Sequence, residues 1–337
     1  MKLIIQIPCF NEQDSLPVTI AELPRSLPGI DSVEWLVIDD GSSDRTAEVA
    51  LALGVDHVLR FERNRGLAAA FTAGLDACLR AGADIIVNTD ADNQYRAGDI
   101  PALLAPILRG EAQMVVGARP IGEIGHFSPL KKALQRLGSW VVRVTSGTDI
   151  ADAPSGFRAI SREAALRLNV FNPYTYTLET IIQAGRRGIT TVSVPIRVNG
   201  DLRPSRLVKS IRAYVTRNMW VILRIFSIYR PLRFFTLVGA IPFAAGLLLG
   251  VRWLALFLAG TERAHVPSLI LAALLLLIGV MVWILGLVAD LISVNREMLE
   301  DIRTRVRRQE LAAAAAAQGD EPGPREAAAD RRPHRAA

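Results

Sequence analysis

The sequence of 337 residues contains little cysteine and lacks several common motifs. Its two cysteines, Cys9 and Cys78, provide neither a disulfide framework nor a zinc-site spacing, so a reducing compartment is expected. No Gly-X-Gly-X-X-Gly follows the first apolar run, which argues against a dinucleotide-binding Rossmann enzyme. Pro8 interrupts that run too early for a secretory signal, and we therefore predict that it is the first strand of the fold.

Acidic residues are missing from the stretch between Leu202 and Arg233, which contains eight lysines or arginines. This local excess is larger than the net charge of the whole chain, which is +6. The basic character therefore belongs to one segment, and no nucleic-acid partner is predicted.

Short apolar runs alternate with helical patterns from the N-terminus to about residue 198. The predicted strands are Leu3–Ile7, Glu34–Ile38, His57–Leu59, Ile85–Val87, Met114–Val116 and Thr191–Ile196. The predicted helices are Asp14–Leu27, Asp44–Leu53, Gly66–Arg80 and Ile100–Leu108. This alternation predicts an α/β domain over residues 1–200, with a mostly parallel sheet whose ligands lie at the carboxyl ends of the strands.

A polar loop follows each of the first four predicted strands. These loops are Pro8–Glu12, Asp39–Asp44, Asn64–Gly66 and Asn88–Tyr95. The carboxyl ends of parallel strands share one edge of a sheet, so the loops are expected to form one site. Asp39 and Asp40 could bind ribose hydroxyls or a base N–H, and their alternative is a tight turn before a capped helix.

The loop after the fourth strand contains two carboxylates in the pattern Asp90-Ala-Asp92-Asn-Gln94. Residues at i and i+2 of an extended segment share a side, so both aspartates could reach one hard divalent cation, with the Gln94 amide nearby. A cation held by few protein ligands completes its shell with water and phosphate oxygens, which suggests a pyrophosphate-bearing substrate. The alternative is that this pattern is only a polar turn.

Five ordered motifs resemble those of family-2 glycosyltransferases with a GT-A fold. They are Pro8-X-X-Asn11-Glu12, Val37-Ile-Asp39-Asp-Gly-Ser-X-Asp44, Asn64-X-Gly66, Asp90-Ala-Asp92-X-Gln94 and Asp152-X-X-Ser155-Gly-Phe-Arg158. The resemblance covers about residues 1–230 and is greatest to the polyprenyl-phosphate hexosyltransferases of the dolichol-phosphate mannose synthase type. The Gln-X-X-Arg-Trp signature of processive synthases is absent, because Gln183-Ala-Gly-Arg186 is followed by Arg187, so transfer of a single sugar is expected.

The resemblance implies a set of site residues. Contacts to the nucleotide sugar are expected from Pro8, Phe10, Asn11, Glu12, Asp39, Asp40, Gly66 and Asp90. Asp90, Asp92 and Gln94 are expected to bind Mg²⁺ or Mn²⁺, and Asp92 and Asp152 are the candidate catalytic residues. Contacts to an acceptor phosphate are expected from Arg119, Arg136, Ser139, Arg158, Arg203 and Arg206.

Asp152 occupies the position that family mechanisms assign to a general base. A phosphate monoester, with a second pKa of about 6, is already mostly a dianion near pH 7 and needs little deprotonation. Our hypothesis is therefore that Asp152 mainly orients a basic residue or the acceptor.

The C-terminal third has the composition of a membrane segment. Two apolar helices are predicted at about residues 232–258 and 266–290, each long enough to span a bilayer, within a segment from 232 to 293. Their alternative is a pair of buried helices in a soluble domain. Basic residues flank both outer ends, so both termini are expected in the cytoplasm at the inner cell membrane.

Residues 201–231 are predicted to form an amphipathic helix at the membrane interface. Its apolar stripe consists of Val208, Ile211, Val215, Met219, Ile222 and Phe226. Arg206, Arg217 and Arg224 lie on the opposite face, which suits anionic lipid. A helix packed on the catalytic domain is the alternative, and the tail over residues 294–337 is predicted to be largely disordered after a last helical extension.

These features together predict an inverting enzyme that transfers one hexose from a nucleotide sugar to a polyprenyl monophosphate. GDP-mannose is the favoured donor by resemblance, and a UDP-hexose is the alternative. A diacylglycerol or glycan acceptor is a second possibility, and an inactive anchoring or flipping partner is a third. Expected partners are the donor, the lipid phosphate and the bilayer, with a homo-oligomer possible.

Overall fold

The computed structural model describes residues 1–120, 138–140, 142–144, 146–170, 176–200, 223–224, 226–260 and 266–319. The chain divides into two compact units. The first consists of Met1–Lys132, Ser146–Pro204 and Glu300–Ala337, and the second of Ala133–Thr145 and Ser205–Leu299.

A seven-stranded mixed sheet forms the centre of the first unit. Its strands are β1 (Lys2–Cys9), β2 (Ser32–Asp39), β3 (His57–Arg60), β4 (Ile85–Asn88), β5 (Met114–Ala118), β6 (Arg158–Ser161) and β7 (Thr191–Pro195). Their spatial order is β3-β2-β1-β4-β6-β5-β7. Neighbouring strands are parallel except β6, which runs antiparallel to both β4 and β5.

Helices connect the strands and cover the sheet. They are α1 (Leu16–Glu22), α2 (Thr46–Ala52), α3 (Leu67–Arg80), α4 (Ile100–Leu108), α5 (Arg162–Arg167) and α6 (Thr177–Arg186), with a short 3-10 turn at Ala97–Asp99. Two longer helices follow, α7 (Pro231–Leu258) and α8 (Val266–Gly319).

The β1 strand is central because both of its faces are covered. Leu3 to Cys9 are all buried, as expected for a parallel strand between two layers of helices. Helix α3 approaches the sheet closely at Gly74, where an added Cβ would lie 2.5 Å from Gln6 Oε1 and 2.8 Å from Ile38 Cδ1. The burial of large apolar side chains here stabilises the fold by about 1.5–3 kcal/mol for each.

All six predicted strands are present, and the predicted mostly parallel sheet is confirmed. Strand β6 was not predicted, because its four residues begin with Arg158, the last residue of a polar motif that shows no apolar run. Pairing with β4 and β5 turns this short segment into a buried strand. The first predicted helix is shorter than expected, ending at Glu22 rather than Leu27.

The second unit contains two apolar helices, α7 and the first part of α8, both long and apolar enough to cross a membrane. Glycines line the seam between them, and at Gly246 an added Cβ would lie 2.8 Å from the carbonyl oxygen of Ala272. Trp283 Nε1 donates to the carbonyl of Thr236 at 3.1 Å, which joins the helices by a hydrogen bond. Small residues at such a seam allow two backbones to approach closely.

Most of the predicted amphipathic segment, residues 201–231, lies outside the described residues, which here are 223–224 and 226–231. Residues 226–229 are helical and Pro231 begins α7.

The helical extension predicted before the disordered tail is present, because residues 294–319 continue α8 as regular helix. The prediction of disorder after that extension falls on residues 320–337, which lie outside the described residues. Residues from Glu300 onward group with the sheet-containing unit. Two tertiary ion pairs form there, between Glu300 and Arg187 and between Arg307 and Asp76. The sequence pattern gave no sign of these contacts.

Candidate active site

Hydrogen bonds join the loops after β1 and β2 at the carboxyl edge of the sheet. Asn11 has a left-handed backbone, with φ of 56°, and its side-chain oxygen accepts from the Ser43 N–H at 2.8 Å. The Glu12 N–H donates to Thr46 Oγ1 at 2.9 Å, and the Glu12 side chain is buried. Asparagine tolerates this backbone conformation better than most residues, which explains its place in the motif.

Asp39 and Asp40 have different environments, although both are buried. Asp39 Oδ1 accepts from the Ser42 N–H at 2.9 Å, whereas Oδ2 has no hydrogen-bond partner. Arg60 Nε lies 3.2 Å from that oxygen as an ion pair without hydrogen-bond geometry. A buried acceptor without a hydrogen bond is costly, so Asp39 Oδ2 is well suited to receive an N–H or O–H from a ligand.

The Asp40 carboxylate accepts from the backbone N–H groups of Arg65 and Gly66, at 2.7 and 2.8 Å. Burial raises the pKa of Asp40, and these two hydrogen bonds oppose the rise. Gly41, with φ of +68°, lies so close to the next loop that an added Cβ would be 2.4 Å from the carbonyl carbon of Arg63. The Asp40 carboxylate therefore holds two loops together, and its contact with the nucleotide sugar stays a prediction.

Asp90 and Asp92 follow β4 and are partly exposed. Burial, reinforced by the charge of Asp92, raises the pKa of Asp90, while Arg119 and Arg158 oppose the rise. A divalent cation would offset the cost of ionising this carboxylate.

No group of three or more histidine, cysteine, aspartate or glutamate side chains suitable for a metal occurs within the described ranges. The donor set is two carboxylates and one amide, from Asp90, Asp92 and Gln94, and the Gln94 N–H donates to Asp92 Oδ1 at 3.2 Å. This set fits Mg²⁺ or Mn²⁺ with the remaining positions taken by water and substrate phosphate.

A buried hydrogen-bond network of Asn88, Tyr95, Gly156 and Tyr176 lies beside Asp90. Asn88 Nδ2 donates to the Gly156 carbonyl at 2.8 Å and to the Tyr176 hydroxyl at 2.9 Å. The Gly156 N–H donates to the Tyr95 hydroxyl at 2.9 Å. The backbone of Gly156 is thereby fixed against Asp90, since an added Cβ would lie 3.1 Å from each of its carboxylate oxygens.

Arg119, which directly follows β5, forms a bidentate pair with Asp152. Its Nε donates to Asp152 Oδ2 at 2.7 Å and its Nη2 to Oδ1 at 3.0 Å. The side chains are 11% and 1% exposed, so most of this ion pair is shielded from solvent. Such fork-to-carboxylate geometry fixes a guanidinium in position. It supports our hypothesis that Asp152 orients a basic residue.

Arg158 does not face the site as predicted. Its guanidinium is fully buried and donates to the carbonyls of Ser155, Ala153 and Thr177 and to the hydroxyl of Thr180. Because these bonds all point into the fold, Arg158 holds the loop before β6 to α6. The prediction that Arg158 contacts the acceptor phosphate is therefore wrong.

The other predicted residues have varied positions. Pro8 is buried at the end of β1 and Phe10 is 40% exposed beyond it. Gly66, with φ of 90°, begins α3. Ser139 is buried in a helical stretch of the second unit. The predictions for Arg136, Arg203 and Arg206 lie outside the described residues.

The hydrogen-bond network around Asn88, Tyr95 and Tyr176 was not predicted from the sequence. Asn88 and Tyr95 flank the Asp-X-Asp pattern in the sequence, and this position could have identified them as neighbours of the site. No local pattern identifies Tyr176, which reaches the site only because it is buried against Phe71, with the ring centroids 3.8 Å apart.

Comparisons with known proteins agree with this geometry. The family model "Glycosyl transferase family 2" matches residues 4–168. An undecaprenyl-phosphate mannosyltransferase of Micrococcus luteus is 30% identical over 233 residues, covering 65% of this chain and 94% of that protein. A polyprenol monophosphomannose synthase of Mycolicibacterium smegmatis is 29% identical over 206 residues, covering 58% and 76%.

A solved structure has the same fold. It is glucosyl-3-phosphoglycerate synthase from Mycobacterium tuberculosis in complex with Mn²⁺, uridine diphosphate and phosphoglyceric acid. The TM-score is 0.52 at 21% identity, covering 67% of this chain and 78% of that one.

Proposed function

The chain belongs to glycosyltransferase family 2 and has its GT-A fold, and we propose that it transfers one hexose, with inversion, from a nucleotide sugar to a polyprenyl monophosphate. The relatives from Micrococcus luteus and Mycolicibacterium smegmatis are named for this class of acceptor and for a mannosyl group. GDP-mannose is therefore the favoured donor, and a UDP-hexose is the alternative.

One observation carries the proposal. The carboxylates after β4 lie beside the loop that holds the Arg119–Asp152 pair, because Gly156, four residues after Asp152, is packed against the Asp90 carboxylate. In keeping with this proximity, Arg119 lowers the pKa of Asp90 and Asp90 raises that of Arg119. Burial lowers the pKa of Arg119, but the neighbouring Tyr95, Asp152 and Asp90 raise it overall. A site for a cation on a departing diphosphate thus lies beside a fixed guanidinium able to bind an entering phosphate.

The donor is expected to lie along the loops after β1, β2 and β4. Asp39 Oδ2 would accept a hydrogen bond from the base or ribose, and Gly66 would permit close backbone approach. Asp90, Asp92 and Gln94 would hold Mg²⁺ or Mn²⁺. When bound, the cation neutralises charge that develops on the departing diphosphate.

In the reaction, a phosphate oxygen of the acceptor forms a bond to the anomeric carbon while the bond from that carbon to the donor diphosphate breaks. The products are a polyprenyl phosphohexose and a nucleoside diphosphate. Because the entering phosphate is already mostly dianionic near pH 7, it needs no strong base. Asp152 would hold Arg119 toward that phosphate, and Arg119 would position the nucleophile.

The two apolar helices suit an acceptor that resides in a bilayer. We propose that the catalytic unit and both termini are cytoplasmic, since basic residues flank the outer ends of α7 and α8. Nucleotide sugars would then reach the site from the cytosol.

The proposal is tested by transfer to undecaprenyl phosphate in detergent with Mn²⁺ and a panel of labelled nucleotide sugars. Asp92→Asn is the inactivating variant. Asp301→Asn is the matched control, because that aspartate is 62% exposed and pairs with Arg305 on its own helix. We expect one donor to give a lipid-linked product in wild type and control, and none with Asp92→Asn.

The alternatives have their own outcomes. Metal-dependent donor binding without transfer to the lipid phosphate, but with transfer to a diacylglycerol or a glycan, would refute the acceptor assignment. Absence of any metal-dependent donor binding or hydrolysis would leave an inactive anchoring or flipping partner.

A further inference from the structure

Residues 300–311 of α8, here called the α8 extension, pack on the catalytic unit. Three ion pairs connect the extension to three separate elements. Glu300 pairs with Arg187 after α6, Arg307 with Asp76 on α3, and Arg308 with Glu163 on α5. Thr304 and Leu311 are buried at 6% and 8% exposure, so the extension is part of the packed unit.

Asp76 on α3 forms ion pairs with Arg307 and Arg80, and Arg307 is the less exposed of the two arginines. Arg307 Nη2 lies 2.9 Å and Nε 3.2 Å from Asp76 Oδ1, and the arginine side chain is 13% exposed. Asp76 Oδ2 also accepts from Arg80 at 2.8 Å. Although burial acts in the opposite direction, hydrogen bonds from Arg80 and Arg307 hold the pKa of Asp76 below its usual value.

Helix α3 is connected directly to the donor side of the site. Its N-terminal end is Gly66, whose N–H donates to Asp40, as does that of Arg65. Asp40 in turn follows Asp39, which has the buried acceptor without a hydrogen bond. A shift of α3 would therefore also shift the loop after β2, because the N–H groups at the start of the helix are hydrogen-bonded to Asp40.

Between the N-terminal half of α3 and the extension there is a cavity of about 530 Å³. Its lining includes Ala68, Ala69 and Thr72 on α3 and Arg303 and Val306 on the extension, and the Asp76–Arg307 pair also lines it. On this side, the first half of α3 therefore has little direct packing against the extension. The contact that holds α3 against the extension is therefore the ion pair between Asp76 and Arg307.

We propose that Arg307 is a positioning residue, which fixes α3 through Asp76 and so sets the donor loop at Asp39 and Asp40. This inference rests on the proposed function, because it concerns the affinity of the nucleotide site. It makes the α8 extension a working part of the catalytic unit, separated from the rest of that unit in sequence by the apolar helices.

The test uses full-length protein and compares Arg307→Glu with Arg305→Glu. Arg305 is a matched control, since it is 77% exposed and its ion pair is with Asp301 on the same helix. Arg307→Lys retains the charge and should restore function in part. The measurements are the dissociation constants of GDP and UDP in Mn²⁺, steady-state kcat and KM for the donor, and amide hydrogen exchange over residues 65–80.

We expect Arg307→Glu to raise the nucleotide dissociation constant and the donor KM by about fivefold, with kcat little changed. Exchange should accelerate at the first turns of α3, and Arg305→Glu should match wild type in all measurements. Asp76→Ala should reproduce the effect of Arg307→Glu from the other partner.

Unchanged nucleotide affinity and unchanged exchange in folded Arg307→Glu would overturn the inference. Equal effects of Arg305→Glu would also overturn it, since a general charge effect would then suffice. If wild type bound neither nucleotide, the proposed function would fail instead, while the exchange comparison would still report whether Arg307 fixes α3.

Discussion

Substitution of Gly156 by alanine offers a direct test of how Asp90 is held. An added Cβ would lie 3.1 Å from both carboxylate oxygens of Asp90 and 2.9 Å from the Tyr176 hydroxyl. Ordinary contacts begin at 3.4 Å, so these groups must shift by a few tenths of an ångström. The glycine backbone cannot easily retreat, because its N–H and carbonyl are bonded to Tyr95 and Asn88.

The expected magnitude follows from this overlap. Forcing an extra methyl into a packed site costs about 1–3 kcal/mol. If about 1.4 kcal/mol of that cost falls on the Asp90 position, the affinity for Mn²⁺ drops about tenfold. The loss should appear in metal binding itself, before any turnover is measured.

The assay is titration of Mn²⁺ followed by the electron paramagnetic resonance signal of the free ion, with nucleoside diphosphate present. Gly98→Ala is the matched control, because an added Cβ there would have no atom within 4 Å. Adding Tyr176→Phe to Gly156→Ala removes one of the close contacts and should restore part of the affinity. Equal Mn²⁺ dissociation constants for folded Gly156→Ala and Gly98→Ala would refute the reasoning.

Three further predictions concern other parts of the chain. Asp152→Asn should lower kcat/KM for the lipid acceptor by about tenfold, because the amide keeps shape but loses charge, whereas Asp92→Asn should abolish transfer; equal losses would contradict an orienting role. Burial raises the pKa of Asp99, but hydrogen bonds from the side chain and the backbone N–H of Arg197 outweigh it and lower the pKa overall. The ionised Asp99 therefore stabilises the fold above its unfolded pKa of about 3.9, and this stabilisation is lost as the pH falls through the lower folded value. The unfolding temperature should therefore decline below about pH 4, and this decline should be smaller in Asp99→Asn. Gly246→Leu should lower the unfolding temperature in detergent, at a cost of about 1–3 kcal/mol, while Gly250→Leu, where an added Cβ meets no atom within 4 Å, should not.

Local patterns predicted most of the elements because each depends on neighbouring residues. The buried runs in β1, β2 and β4 and the long apolar stretches of α7 and α8 are recorded in consecutive letters. The polar loops after the strands were likewise predictable as one site, since parallel strands bring their carboxyl ends to one edge. Among the described strands only β6 was not predicted, because a four-residue strand depends on its neighbours for identity. Helices α5 and α6 were not among the predicted helices either.

Which polar side chain faces the site was decided by tertiary structure. Arg119 and Arg158 were both predicted to contact the acceptor phosphate. In the structure Arg119 pairs with Asp152, whereas Arg158 donates to buried backbone carbonyls. Asp39 and Asp40 are adjacent and equally acidic, but the second uses its carboxylate to hold a neighbouring loop. These differences arise from strand pairing and from the path of each loop.

The sequence by itself therefore determined the family, the sheet and the apolar helices, since their signals are periodic or contiguous. The role of the α8 extension was decided only by tertiary structure. The sequence predicts its arginines only as the basic flank of an apolar helix, whereas Arg307 contacts Asp76 across a separation of 231 residues. Ion pairs leave no period in the sequence, because each partner is set by the folded path of the chain rather than by its own neighbours.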